Sequence, residues 1–202
     1  MNVISLFPKA VGSFQIGRDL TETEIKFIKD QPTRSNMGNT TSVDNYILEA
    51  KKLTDIRTFI EASINEYFTS VYAPKNDVKL RITQSWCNYT EPGQFHHKHA
   101  HPNSFISGVF YPQANKDTDK IYFYKDGYEQ IKIPTTDWNT WNSESWWLEA
   151  EQGALYIFPS GLTHMVETVQ GTQTRISLSF NTFPVGMVGE EESLTGLKLE
   201  TA

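Results

Sequence analysis

Residues 78–112, VKLRITQSWCNYTEPGQFHHKHAHPNSFISGVFYP, place two runs rich in β-branched and aromatic residues on either side of a loop holding four histidines. The flanking runs, 78–90 and 104–111, read as strands closed off by Pro, Gly and Asn turn signals. Similar short runs follow at 120–124, 145–149, 153–158, 163–169 and 172–183. Nothing between them has the length or period of the crossover helices that a parallel sheet needs. Seven or eight such strands predict a mainly β fold, a closed sandwich or jelly roll.

The N-terminal third differs. Val3 to Phe7 reads as a short strand. Thr21 and Glu24, three residues apart, form a capping box and predict a helix through about Lys29. Residues 32–41, rich in Asn, Gly, Ser and Thr, read as loop. From Asp44 to Tyr72 the pattern is helical with a break near Thr54, because Leu53, Ile56, Phe59, Ile60, Ile64, Tyr67, Phe68 and Val71 make one apolar face. An α-helical layer packed on one sheet is expected. No repeat, low-complexity run or linker divides the chain, so residues 1–202 are expected to form one domain: 1–74 mostly helical, 75–184 the β core, and 185–202 an acidic extension. That extension carries Glu190, Glu191 and Glu192 and suits a solvated tail or the contact of a homodimer.

Composition excludes several classes. A formal charge of −6 over 202 residues gives no general pull toward nucleic acid or anionic lipid. No apolar run nears the ~20 residues of a membrane span, and the N-terminus lacks the pattern of a secretory leader. A single cysteine, Cys87, excludes an internal disulfide and fits a cytoplasmic protein. Beside Trp86 it reads as a small buried apolar residue.

Five histidines occur in all, four of them at 96, 97, 99 and 101 and the last at 164. In a regular strand, residues two apart share a face, which groups His97, His99 and His101 and turns His96 away. Two imidazoles at i and i+2 can converge on one metal ion, and His164 is the remaining histidine that could join them. An exposed histidine-rich loop is the alternative. Further on, Arg175 and Ser177 share a face with Ser179 and Asn181. An arginine turned into a β-barrel is costly without an anion, and its planar fork matches a carboxylate.

Two strings resemble the paired metal motifs of the cupin superfamily: Gly93, five residues, His99-x-His101; and Gly153, five residues, Pro159-x-Gly161, two residues, His164. The resemblance implies a double-stranded β-helix with a metal on His99, His101 and His164, and leaves His97 behind the metal or against substrate. Arg175-x-Ser177, eleven residues after His164, resembles the 2-oxoglutarate/Fe(II)-dependent oxygenases, where the Arg and Ser hold the far carboxylate of the co-substrate. The strings SWCNYTEPGQFHHKHAHPNSFISGVFYP, GALYIFPSGLTHMVE and RISLSFN resemble in particular a group of such oxygenases found in bacteria and tailed phages, and the resemblance covers most of the chain. It implies Fe(II), O2 and 2-oxoglutarate as cofactors and co-substrate, and a cytoplasmic protein, bacterial or phage-encoded in the host cytoplasm, but no substrate. A likeness to prolyl-hydroxylase-type relatives implies a hydroxylase acting on a peptide or protein side chain.

One departure stands out. The family's usual facial triad has a carboxylate two residues after the first histidine; here that position is His101, and no Asp or Glu lies between 92 and 116. Three neutral imidazoles leave the ion's charge uncompensated until an anionic co-substrate binds, and they also suit zinc. Two rival readings therefore stand: a three-histidine cupin enzyme that does not use 2-oxoglutarate, and a non-catalytic cupin-type binding or structural protein. Tyr111 is expected on the inward face, within reach of 2-oxoglutarate. Trp86, Asn88, His97 and Asn103 are candidates for the substrate cleft. The stretch 125–147, with four of the five tryptophans, suits a lid over the site.

Overall fold

A computed structural model describes residues 1–127, 131 and 133–200. Two antiparallel sheets form it. The larger contains β1 (Gly12–Gln15), β2 (Thr33–Ser35), β3 (Thr40–Ser42), β4 (Val78–Thr90), β6 (Ile106–Gln113), β9 (Ala154–Pro159), β11 (Arg175–Val188) and β12 (Leu197–Leu199), in the order β1-β9-β6-β11-β4-β3-β2 with β12 paired to β11. The smaller contains β5 (His96–His99), β7 (Lys120–Tyr124), β8 (Ser145–Glu149) and β10 (His164–Val166), in the order β5-β10-β7-β8. This mainly β architecture is the double-stranded β-helix, or jelly roll, with helices outside its larger sheet.

Alternation along β9, β11 and the unbulged stretches of β4 and β6 makes two cores. Cys87, Phe110, Leu155, Leu178 and Phe180 face the helices, against Ile28 of α1 (Glu22–Lys29) and Ile56, Ile60 and Ile64 of α2 (Thr54–Tyr72). Each such aliphatic side chain, once buried, contributes about 1.5–3 kcal/mol. Val109, Tyr111, Tyr156 and Phe158 face the other way, against Ile121 and Phe123 of the smaller sheet. Gly108 lies on the helix side, where a Cβ would run into the Phe180 ring. Cys87 is fully buried, and burial pushes its thiol up to about 12, so it packs and does not react.

α1 starts as the sequence predicts: the Thr21 hydroxyl accepts from the Glu24 amide and the Glu24 carboxylate accepts from the Thr21 amide. Four expectations need correcting. Val3 to Phe7 forms no strand; no described strand pairs with it and its apolar side chains are exposed. The 32–41 stretch is not all loop, since β2 and β3 extend the sheet beyond β4. The helical pattern before Thr54 becomes two 3₁₀ turns, Ile47–Glu49 and Lys51–Leu53, and α2 begins at Thr54. The acidic tail does not stay apart: β12 folds back to pair Leu197–Leu199 with Gly186–Val188. Among the described residues no helix is long and apolar enough to cross a membrane.

Candidate metal and co-substrate site

The histidine strand is not regular. Against β10, His99 pairs with His164 and His96 with Val166. Three steps along β5 therefore match two along β10, so β5 carries one extra residue, a β-bulge. The bulge reverses the alternation, and His96 and His99 share a face. This overturns the expectation that His96 points away: its ring stacks on His99 with centroids 4.6 Å apart and planes at 25°.

His99, His101 and His164 meet in one cluster. Ring centroids are 4.4 Å apart for His99–His164, 5.0 Å for His99–His101 and 5.1 Å for His101–His164, and one nitrogen of each lies within 4.8 Å of the others. The Nδ1 of His99 donates to the His97 carbonyl at 2.7 Å, and that of His164 to the Leu162 carbonyl at 3.0 Å. A carbonyl only accepts, so both rings carry their proton on Nδ1 and turn a free Nε2 lone pair to the cluster, the tautomer that a metal requires. His101 lies beyond β5; its amide donates to the Ser160 carbonyl at 2.9 Å and its ring rests against Trp86. His96, His97 and His99 form a second three-nitrogen group. Both groups contain His99, whose Nδ1 is engaged by the His97 carbonyl, so one ion uses one of them.

Burial, together with neighbouring rings, pushes the imidazoles down: His96 to about 2, His164 to about 3 and His101 to about 4. The folded protein keeps them neutral where an unfolded chain, titrating near 6.5, takes up protons. Stability is thus fully present above about pH 6.5 and lost as pH falls through that value toward the folded ones. Denaturant midpoints of the metal-free protein are expected to drop between pH 7 and pH 5; an unchanged midpoint would show that the imidazoles are not held neutral.

Arg175 and Ser177 stand where period two predicts, because β11 pairs with β4 without interruption from Arg175 to Asn181. Arg175 is 3% exposed. Its Nη2 donates to the Tyr111 hydroxyl at 3.1 Å and its Nη1 to the Lys120 carbonyl at 3.3 Å, while Nε is buried without a partner. Among the described residues no carboxylate pairs with it. Tyr111 is inward and fully buried, and holds Arg175 in place; the cavity lining does not include it. Ser177, Asn88, Trp86, His96, Arg175 and the three clustered histidines line one narrow cavity of about 30 Å³. The Asn88 amide donates to Ser179 at 3.1 Å, and its buried Oδ1 has no partner.

Outside this cavity lies a cleft of about 680 Å³, which Trp86, His96, His97 and Asn103 border. Asn103 adopts a left-handed backbone (φ 56°), which asparagine tolerates. Two basic residues that the sequence did not single out, Arg34 and Arg81, also border the cleft, and among the described residues no carboxylate does. Arg81 gets there by a second bulge: Asn181 pairs with Gln84 but Thr182 with Ile82, so β4 gains one residue and changes face. Also unforeseen is a hydroxyl network. Ser160 donates to Ser104 (2.7 Å), while Ser107 bonds Ser160 and Asn181 (2.8 Å each). It secures the turn that holds His101, and scattered serines gave no sign of it. The tryptophan-rich stretch is no lid among its described residues, none of which borders the cavity or cleft; β8 sits at the far edge of the smaller sheet. Residues 128–130 and 132 of that stretch lie outside the described residues.

The donors fit a metal with an anionic chelate: three clustered imidazoles, two of them with Nε2 free, and at the other end of one cavity a buried guanidinium that no carboxylate among the described residues pairs with. Comparison with known proteins points to the same class. Residues 84–181, from β4 into β11, match the family described as "Putative 2OG-Fe(II) oxygenase". Three solved structures share the fold. A 2OG-Fe(II) oxygenase family oxidoreductase from Burkholderia pseudomallei aligns with TM-score 0.55 and 14% identity over 78% of this chain and 74% of that one. HygX from Streptomyces hygroscopicus, solved with nickel, 2-oxoglutarate and hygromycin B, aligns with TM-score 0.56 and 10% identity over 86% and 82%. A Pseudomonas putida prolyl-4-hydroxylase aligns with TM-score 0.53 and 13% identity over 86% and 92%. No curated protein matches significantly. Over residues 84–181, just under half of the chain, the protein is similar to the 2-oxoglutarate/Fe(II)-dependent oxygenases, a family whose cofactors are Fe(II), 2-oxoglutarate and O2.

Proposed function

We propose that the protein hydroxylates a peptide or protein side chain, with His99, His101 and His164 holding iron and Arg175 and Ser177 holding the far carboxylate of 2-oxoglutarate. The observation that carries this reading is Arg175: a buried guanidinium without a carboxylate partner, in the same cavity as three convergent imidazoles. A buried charge of this kind costs several kcal/mol unless a ligand neutralises it. Bound iron with 2-oxoglutarate and O2 supplies the oxidising power, which puts one oxygen atom into the substrate and one into succinate as CO2 leaves. The chain's own residues bind, orient and exclude water. His97 and Leu162 carbonyls fix the tautomers of two ligands, Tyr111 and Lys120 aim the guanidinium, and Ile121, Phe158 and Val166 keep the cavity dry. The dianionic co-substrate compensates the charge that three neutral ligands leave on the metal.

An open cleft bordered by Trp86, His97 and Asn103 suits an extended chain better than an enclosed small molecule. Arg34 and Arg81, with no carboxylate among the described residues that border the cleft, favour a segment carrying negative charge. The test is Fe(II) plus 2-oxoglutarate under argon, then oxygen. A visible charge-transfer band followed by succinate formation, faster with acidic than with basic peptides, is expected. Metal uptake without 2-oxoglutarate binding would leave a three-histidine cupin enzyme of another kind, and no metal affinity would leave a binding or structural protein.

A further inference from the structure

We propose that His96 is a fourth working histidine, donating a hydrogen bond to the keto-carboxylate end of 2-oxoglutarate from the wall opposite Asn88 and Ser177. The proposal rests on the reading above, in which that cavity takes the co-substrate. The cavity has two ends. The β4–β11 register sets Trp86 against Ser179, Asn88 against Ser177 and Thr90 against Arg175. Trp86 packs on His101 of the metal cluster, so the cluster and the guanidinium mark opposite ends, with Ser179 and Arg175 roughly 13 Å apart along the strand. Asn88 and Ser177 lie between.

His96 faces this middle region from the other sheet. The bulge in β5 sets it opposite Val166, one inward position along from the His99–His164 pair, and it lines the cavity together with Asn88, Ser177 and Arg175. The Asn36 amide nitrogen stands 3.5 Å from His96 Nε2. An amide nitrogen only donates, which makes Nε2 the acceptor and leaves the proton on Nδ1. No described residue accepts a hydrogen bond from that Nδ1. Across the cavity the Asn88 Oδ1 is buried and unpartnered, but it is an acceptor that a carboxylate cannot satisfy. In this middle region the oxygens of the co-substrate find a donor in the His96 Nδ1–H.

His96→Phe keeps a flat ring stacked on His99 and removes both nitrogens; His96→Gln restores a donor. Fe(II) affinity, 2-oxoglutarate affinity under argon and the position of the visible charge-transfer band are measured for wild type and both variants. His96→Phe is expected to bind Fe(II) within about twofold of wild type. It should bind 2-oxoglutarate about tenfold more weakly, the loss of one hydrogen bond to a charged group, with a displaced band. His96→Gln should recover most of that affinity. An unchanged 2-oxoglutarate affinity and band in His96→Phe would overturn the role. Loss of iron in both variants would also overturn it, by making His96 a ligand in the group with His97 and His99. If the wild type itself bound iron but no 2-oxoglutarate, the oxygenase reading would fall first.

Discussion

Arg175→Ala is expected to weaken 2-oxoglutarate binding by about two orders of magnitude or more while leaving iron binding intact. Two charge-assisted hydrogen bonds to the far carboxylate would be lost, each worth roughly 1.5–3 kcal/mol, and about 1.4 kcal/mol corresponds to a factor of ten. The magnitude depends on burial. At 3% exposure the guanidinium interacts with its partner without much solvent screening, unlike a surface pair. Arg175→Lys should recover only part of the affinity. An ammonium lacks the planar fork, and cannot keep both the Tyr111 and Lys120 contacts while gripping a carboxylate. Titration of 2-oxoglutarate into the Fe(II) protein under argon reads the result. Equal affinities across wild type and both variants would remove Arg175 from the co-substrate site.

His164→Ala is expected to lower iron affinity by at least an order of magnitude. Among the five histidines it alone reaches the cluster from β10, and changing the groups that merely orient a ligand already costs 10–100-fold in other metal sites. His97→Ala makes a discriminating companion. It keeps the backbone carbonyl that sets the His99 tautomer and removes a ring that borders the outer cleft and packs on His96 and His99, so iron should stay within a few-fold. Competition with a chelating dye measures both. If His97→Ala cost more iron than His101→Ala, the ligand set would be His96, His97 and His99, and the assignment made here would be wrong.

The parts of the molecule that could be read from the chain are those where a local rule runs uninterrupted. Strands 120–124 and 145–149 lie where turn residues and aromatic runs place them, and the capping box starts α1 at the predicted residue. Arg175 and Ser177 were legible because β11 keeps register with β4 through Asn181, so period two holds. His96 was not, because a bulge depends on hydrogen bonds to a neighbouring strand far away in sequence. Arg81 was missed for the same reason. The hydroxyl network around Ser104, Ser107 and Ser160 joins residues more than fifty positions apart, and no local period reports such a meeting. Residues 44–53 carried a helical pattern that tertiary packing resolved into 3₁₀ turns, with Ile47, Leu48 and Leu53 buried all the same.

The two bulges give the site a frame, in the sense that a coding sequence has one. Each inserts a single residue, and everything beyond it changes face. Removing one residue between His96 and His99 would return β5 to strict alternation and turn His96 outward, without altering any side chain's chemistry. Removing Thr83 from β4 would likewise take Arg81 from the cleft to the opposite face, leaving Trp86 and Asn88 in place. Single-residue deletions here thus act as switches of side-chain orientation, an effect that substitution at the same positions does not reproduce. Changes in length, more than changes in residue type, are what would redirect this cleft toward a different substrate.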